Sequence, residues 1–317
     1  MSNDVILYGL LYTDGTYEKH QNLDVGNSNA VDIYLKCAVL CAKSVAWHGG
    51  KFRLITNNKE HIEDRIAELG LKRIEVIERG FVLDVPSGIR FRSAHYKLEL
   101  LEAFGAGSYG NFLGLIDVDT VMLAPFPKLT VQPDSLYLYD ISEQVFFEHG
   151  MDRVWRDLEQ VAERSVSRPR WIGGEFILGC PRGFRRLAEA TRQLWPRYLQ
   201  VFGQLHHASD EMLISAAVAY NPDIALNEMG ALGVIARWWT SRTGYPQRTF
   251  AEARRSSFLH LPSDKIFLSR WADRTFDPDS FTADYRKYAR SKLSRRKLYS
   301  MVAQIGLGES KFVGRLD

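Results

Sequence analysis

At 317 residues, with 45% hydrophobic and 25% charged residues, the chain has the composition of a soluble globular protein that can bury a large core in one α/β domain or two smaller ones. A formal net charge of +3 is too small to point to nucleic acid, and three cysteines, Cys37, Cys41 and Cys180, cannot build a disulfide framework. No apolar stretch reaches the roughly 18–20 residues of a membrane span, and the opening MSNDVILYGLLY has neither a basic leader nor a small-residue cleavage site, so the expected location is the cytoplasm.

In chain order, VILYGLLY (5–12) reads as a first strand, followed by the polar loop TDGTYEKHQNLDVGNSN. Residues 31–48 carry helical periodicity and stop at Gly49-Gly50, and their Cys37 and Cys41, one turn apart, read as core. KFRLITN is a short strand, NKEHIEDRIAELGL an amphipathic helix closed by Gly70, and RIEVIER a further strand. The first third thus alternates β and α, the pattern of a parallel sheet. SAHYKLELLEAF (93–104) is another helix, and NFLGLIDVDTVML (111–123) contains the next strand. Alternation then weakens: SLYLYD and EFILGC are expected strands, 184–202 and 210–219 expected helices. The expected architecture is a single α/β domain over residues 1–282, with a mixed, mainly parallel central sheet flanked by helices, and a basic tail over 283–317.

The chemistry concentrates in four places. Asp117 and Asp119 end the apolar run Phe112-Leu113-Gly114-Leu115-Ile116. A strand buried on both faces does not tolerate an unpaired carboxylate, so both acids belong at its carboxyl end, where open α/β sheets bind ligands. At i and i+2 they point the same way and can reach one hard cation. The motif alone is weak, since a chain with 20 aspartates makes a D-x-D by chance about once, and Asp277-Pro278-Asp279 is a second instance with no strand before it. In FLHLPSDKIF, a neutral His260 can complete a divalent-metal site and Lys265 can neutralise a departing diphosphate; a core histidine is the plainer reading. In HHASDEMLISAAV, Asp210 and Glu211 open a helix, either as site carboxylates or as first-turn acids capped with Ser209. In RWIGGEFILG, Gly173 and Gly174 either let backbone approach a ligand or form a bulge or tight turn, and Glu175 opens a strand.

The order of these segments resembles the GT-A glycosyltransferases, and among them glycosyltransferase family 8, over roughly residues 5–270. The resemblance implies a Thr-containing loop that holds the nucleotide, matched by Thr13, Asp14 and Tyr17, and a donor-contacting lysine before the metal motif, matched by Lys97. The family's D-x-D falls on Asp117 and Asp119. Its Asn-Ser-Gly segment falls on Gly173, Gly174 and Glu175, its Asp-Gln pair on Asp210 and Glu211, and its H-x-x-G-x-x-K-P-W on HLPSDKIF. That last segment keeps His260 but not the glycine, the lysine spacing or the Pro-Trp. The implied activity is transfer of a hexose, with retention, from a nucleotide diphosphate sugar, UDP-linked, to a glycan or glycolipid.

A leaving diphosphate gains charge as the glycosidic bond breaks, so a divalent cation and positive side chains belong beside it. Asp117, Asp119 and His260 are expected to hold Mn²⁺ or Mg²⁺, with Lys265 and Lys97 adding charge. The carboxylate facing the anomeric carbon is open among Asp210, Glu211 and Glu175. Two alternatives are a sugar-nucleotide pyrophosphorylase, whose glycine-rich basic first loop YTDGTYEKH matches poorly, and a GT-A domain that only binds sugar or nucleotide. The tail carries Arg286, Lys287, Arg290, Lys292, Arg295, Arg296 and Lys297 interleaved with Tyr285, Tyr288, Leu293, Leu298, Tyr299, Met301, Val302 and Ile305. It is expected to lie on an anionic membrane surface, making the protein peripheral there; the alternative is a solvated helix capping the domain.

Overall fold

The computed structural model describes residues 5–13, 30–240, 242 and 244–294. The chain runs β1 (Ile6–Leu11), α1 (Ala30–Trp47), β2 (Lys51–Thr56), α2 (Lys59–Glu68), β3 (Glu75–Glu78), α3 (Arg92–His95), α4 (Lys97–Gly105) and β4 (Leu113–Ile116). It continues through β5 (Thr120–Met122), β6 (Leu136–Asp140), α5 (Ser142–His149), α6 (Met151–Ala162), β7 (Ile172–Gly179), α7 (Pro181–Val201) and α8 (Asp210–Tyr220). Then come β8 (Asn227–Glu228), β9 (Ile235–Arg237), α9 (Phe250–Ala253), β10 (Phe258–His260), α10 (Lys265–Ser269) and a last helix, α11, over residues 278–294. The β/α alternation expected in the first third is present.

Seven strands form the main sheet in the order β3-β2-β1-β4-β7-β6-β8. β1, β2, β3 and β4 pair in parallel, as do β6 and β8, whereas β7 runs antiparallel to both β4 and β6. β4 is central because its residues are apolar throughout; Leu113, Leu115 and Ile116 are fully buried, each contributing about 1.5–3 kcal/mol. Helices flank the sheet: α4, α7 and α8 pack together, α8 rests on β7, and α1 covers β2 and β5. The local signals work as read: Asn58 caps α2 by accepting from the His61 N–H, and the chain leaves α2 through Gly70 at φ +63°. From β1 the sheet grows through β2 and β3 on one side and through β4 on the other. The carboxyl ends of β1 and β4 therefore flank a topological switch point, the place where such sheets leave a crevice.

A second, three-stranded sheet, β5-β10-β9, stands beyond that edge, with His260 opposite both Thr120 and Arg237. Sequence periodicity did not announce it, because strands this short carry no alternation. Its strands join one continuous core that runs from Leu7 to Ala289.

The end of the chain differs from the expected tail. Residue 282 lies inside α11, which buries Phe281, Tyr285 and Ala289 against the body. The same helix closes on Asp264, a carboxylate without solvent exposure. Asp264 accepts from Tyr285 Oη at 2.6 Å, Tyr288 Oη at 3.1 Å and Thr240 Oγ1 at 2.7 Å, and pairs with Lys292 Nζ at 2.6 Å. The apolar side of residues 281–289 thus serves the core, as the capping alternative anticipates; residues 295–317 lie outside the described residues. Asp277 accepts from the Ser280 N–H at 2.8 Å at the start of α11, so the second D-x-D is a helix-capping sequence. Among the described residues, no helix is long and apolar enough to cross a membrane.

Candidate metal centre and its cleft

β4 delivers the two acids and the small sheet delivers their partners. The β4–β7 ladder continues for one more bond, Asp117 N–H to Glu175 O at 2.8 Å, and the chain then turns through Asp119 into β5. Cross-strand pairing of β5 with β10 sets His260 Nε2 3.2 Å from Asp119 Oδ1. Ligand atoms of Asp117, Asp119 and His260 all lie within 4.8 Å of one another. Around an octahedral ion with bonds of about 2.1 Å, adjacent ligand atoms stand about 3 Å apart and opposite ones about 4.2 Å, so a set within 4.8 Å closes on a divalent cation with a small side-chain adjustment. The structure therefore brings together the three expected ligands, from positions over 140 residues apart in the chain.

Two buried lysines face the acids. Lys265 Nζ lies 2.6 Å from Asp119 Oδ2, and Lys97 Nζ bridges Asp117 Oδ1 at 2.6 Å and Asp210 Oδ2 at 3.2 Å while donating to Gly174 O. Burial alone would raise the Asp119 pKa, but the Lys265 ammonium and the His260 imidazole outweigh it and hold that carboxyl well below its usual range. Burial pulls His260 down, and Asp119, with Glu175 behind it, overrides this and lifts the imidazole to about 9. Asp210 moves the other way: burial, with Glu211 and Asp117 nearby, lifts it to about 6 against the pull of Lys97. Across the cluster, five carboxylates meet three permanent cations, Lys97, Lys265 and Arg237, an imbalance a divalent ion would relieve.

Arg237 is the site residue that sequence reasoning missed. Its guanidinium grips Glu175 with two bonds of 2.6 Å and reaches Glu211 Oε1 at 2.8 Å. Glu175 is thereby corrected as a candidate for the anomeric carbon: its side chain has no exposure, it is held on both oxygens, and it is not among the described residues lining the cleft. Burial would raise its pKa, yet Arg237 and His260 bring it down to about 2. Glu175 Oε1 stands 3.5 Å from His260 Nδ1, a charge contact without a formed hydrogen bond, while Nε2 is the nitrogen that faces Asp119.

The glycines of β7 are explained by this packing and not by a ligand. β6 pairs Leu138 with Ile177 and then Tyr139 with Gly173, leaving Gly174, Glu175 and Phe176 bulged away from β6. A Cβ on Gly173 would sit 2.0 Å from Glu175 Oε2, and one on Gly174 would sit 2.4 Å from Asp210 Oδ2. Both glycines are buried, and they clear space for carboxylates. Asp210 and Glu211 do line the cleft. Ser209 caps α8 by accepting from Glu211 N–H, while Glu211 also takes the Trp171 indole N–H at 3.0 Å, so helix capping and site formation coexist here.

The cleft holds about 910 Å³ and opens over Asp117, Asp119, His260, Lys97 and Lys265. At the end of β1 it is lined by Tyr12, stacked on Tyr96 with ring centroids 4.1 Å apart. Thr13 is tied through its backbone and hydroxyl to Asn57; Asp14 and Tyr17 lie outside the described residues. Comparison with protein-family models and with curated proteins finds no match to this chain.

Proposed function

We propose that the protein is a metal-dependent glycosyltransferase of the GT-A type that moves a hexose from a nucleotide diphosphate sugar, UDP-linked, to a glycan or glycolipid. The observation that carries this reading is the convergence of Asp117, Asp119 and His260, backed by two buried lysines, at the carboxyl edge between β1 and β4. The two carboxylates and one imidazole suit Mn²⁺ ahead of Mg²⁺. When bound, the ion supplies electrostatic stabilisation of a departing diphosphate. Lys265 beside Asp119 and Lys97 beside Asp117 add fixed positive charge next to the candidate metal ligands. Tyr12, at the end of β1, offers a ring for the nucleobase. Asp210 and Glu211 present carboxylates toward the sugar, with Asp210 beside Lys97 and Glu211 fixed by Trp171 and Arg237, and these stabilise positive charge at the anomeric carbon. The resemblance implies retention of configuration. Membrane attachment, if the tail provides it, belongs to residues beyond α11.

The test is nucleotide release from UDP-, GDP- and dTDP-hexoses with Mn²⁺, with Mg²⁺ and with a chelator. Metal-stimulated release from one UDP-hexose is expected. Pyrophosphate-dependent formation of a nucleoside triphosphate would favour the pyrophosphorylase instead. Absence of any metal-dependent turnover, with Mn²⁺ bound to the protein, would leave only a binding role.

A further inference from the structure

The cleft extends past the carboxylates to a wall that the donor chemistry does not use. There Phe91 and His207 stand ring against ring at 5.1 Å, and His149 lies 4.7 Å from His206; all four line the cleft. This wall adjoins the sugar end, because His207 Nε2 lies 3.9 Å from Glu211 Oε2 and buried Trp171, which donates to Glu211, backs both His206 and His207.

Two features of the wall are costly to the fold. Phe91 has φ +55°, a left-handed backbone that a bulky residue adopts only when its surroundings impose it. The His206 side chain is only 5% exposed, and Asp157 Oδ2 accepts from both its backbone N–H and its ring Nδ1–H at 2.7 Å. With Asp157 bound at Nδ1, Nε2 is the ring nitrogen left over, and it is buried with no hydrogen-bond partner among the described residues. Buried polar atoms are rarely left so, and strained backbone gathers where ligands bind.

We propose that this wall is the acceptor subsite of the transferase and that its ligand is a saccharide. The faces of Phe91, His207 and His149 meet the apolar face of a pyranose, and a ring hydroxyl, admitted as His149 turns aside, hydrogen-bonds to His206 Nε2. Asp157 is the positioning residue, since it fixes the tautomer and the seat of His206. A nucleobase is the poorer occupant, because the donor's base has Tyr12 at the opposite end. The inference rests on the glycosyltransferase reading for its direction and on the wall's own geometry for its ligand class.

The experiment uses the full chain with UDP and Mn²⁺ and measures binding of a panel of methyl hexopyranosides by saturation-transfer NMR. In parallel, the ratio of transfer to hydrolysis is measured with the UDP-hexose the protein accepts. Phe91→Gly removes the ring and relieves the backbone, so its melting temperature should stay within a few degrees of wild type while pyranoside binding and the transfer ratio fall tenfold or more. His206→Asn keeps an N–H for Asp157 but has no polar atom in place of Nε2, and should lower the same ratio. A purely structural role would instead lower stability and leave the ratio unchanged. Wild-type protein that binds no methyl hexopyranoside, or variants that bind as wild type does, would overturn the subsite even if donor hydrolysis is metal-dependent. Pyranoside binding lost in both variants, in a protein that hydrolyses no donor, would uphold the subsite and reject the enzyme.

Discussion

The chain spells D-x-D twice, and the two copies do opposite work. Asp117-Val118-Asp119 closes a buried central strand, and its acids meet two buried lysines and a histidine over a cleft. Asp277-Pro278-Asp279 stands at the surface, where Asp277 accepts from the Ser280 N–H and starts α11. Proline at the first turn and an acid before it are what a helix start asks for. The lesson is that a motif is a statement about its context: the same three letters recruit cations where the sheet ends and backbone amides where a helix begins. Even burial does not discriminate, since Asp264 is as buried as Asp119 and is saturated by hydroxyls and one lysine away from the candidate metal ligands.

The sharpest way to break this contrast is Asp119→Asn, which should lower metal-stimulated donor hydrolysis by about three orders of magnitude, the scale of losing a central electrostatic group. Asp277→Ala should leave that rate untouched; equal losses in the two variants would erase the distinction. Next in size is Arg237→Met. It strips the cation from buried Glu175 and half-buried Glu211 and should destabilise the fold by about 3 kcal/mol in chemical denaturation, with Glu175→Gln restoring part of the loss in the double variant. A milder probe is pH. A ligand imidazole must be neutral, so with His260 lifted to about 9, Mn²⁺ affinity measured by titration should rise roughly tenfold per pH unit below that value. In the metal-free protein the raised value stabilises the fold fully below about 6.5, and that contribution is lost as pH climbs toward 9. Smallest of all, Asp277→Ala should shift the melting temperature only slightly, the cost of an exposed cap.

Much of this was legible in advance for a definite reason. The strands and helices up to β4 each carry their own period and punctuation, and Asp117, Asp119, His260 and Lys265 stand beside recognisable apolar runs. Arg237 had no such signal: in VIARWW it looks like any surface charge, and only the pairing of β9 with β10 turns it toward Glu175. Glu175 was visible as an acid at a strand, but its role depends on a bulge in β7, which register alone creates. The glycines before it gave a true signal of close approach without saying what approaches. His206 and His207 were passed over as neighbours of Asp210, because an imidazole's importance lies in who holds its other nitrogen, here an acid on α6.

The clasp on Asp264 sets an order of events. His260 and Lys265 stand on the segment that Asp264 anchors, and the groups that saturate Asp264 include Tyr285, Tyr288 and Lys292, near the end of the described chain. A chain leaves the ribosome N-terminus first, and a domain completes its fold as a unit. β4, which leads into Asp117, can therefore pair with β1 early, while the histidine and lysine of the candidate cation site gain their anchor only after α11 has been made. A nascent or truncated chain ending before residue 285 would keep Lys97 beside Asp117 but would leave Asp119 without an anchored His260 and Lys265. Late closure of this kind keeps the site from maturing before the whole body is present to support it.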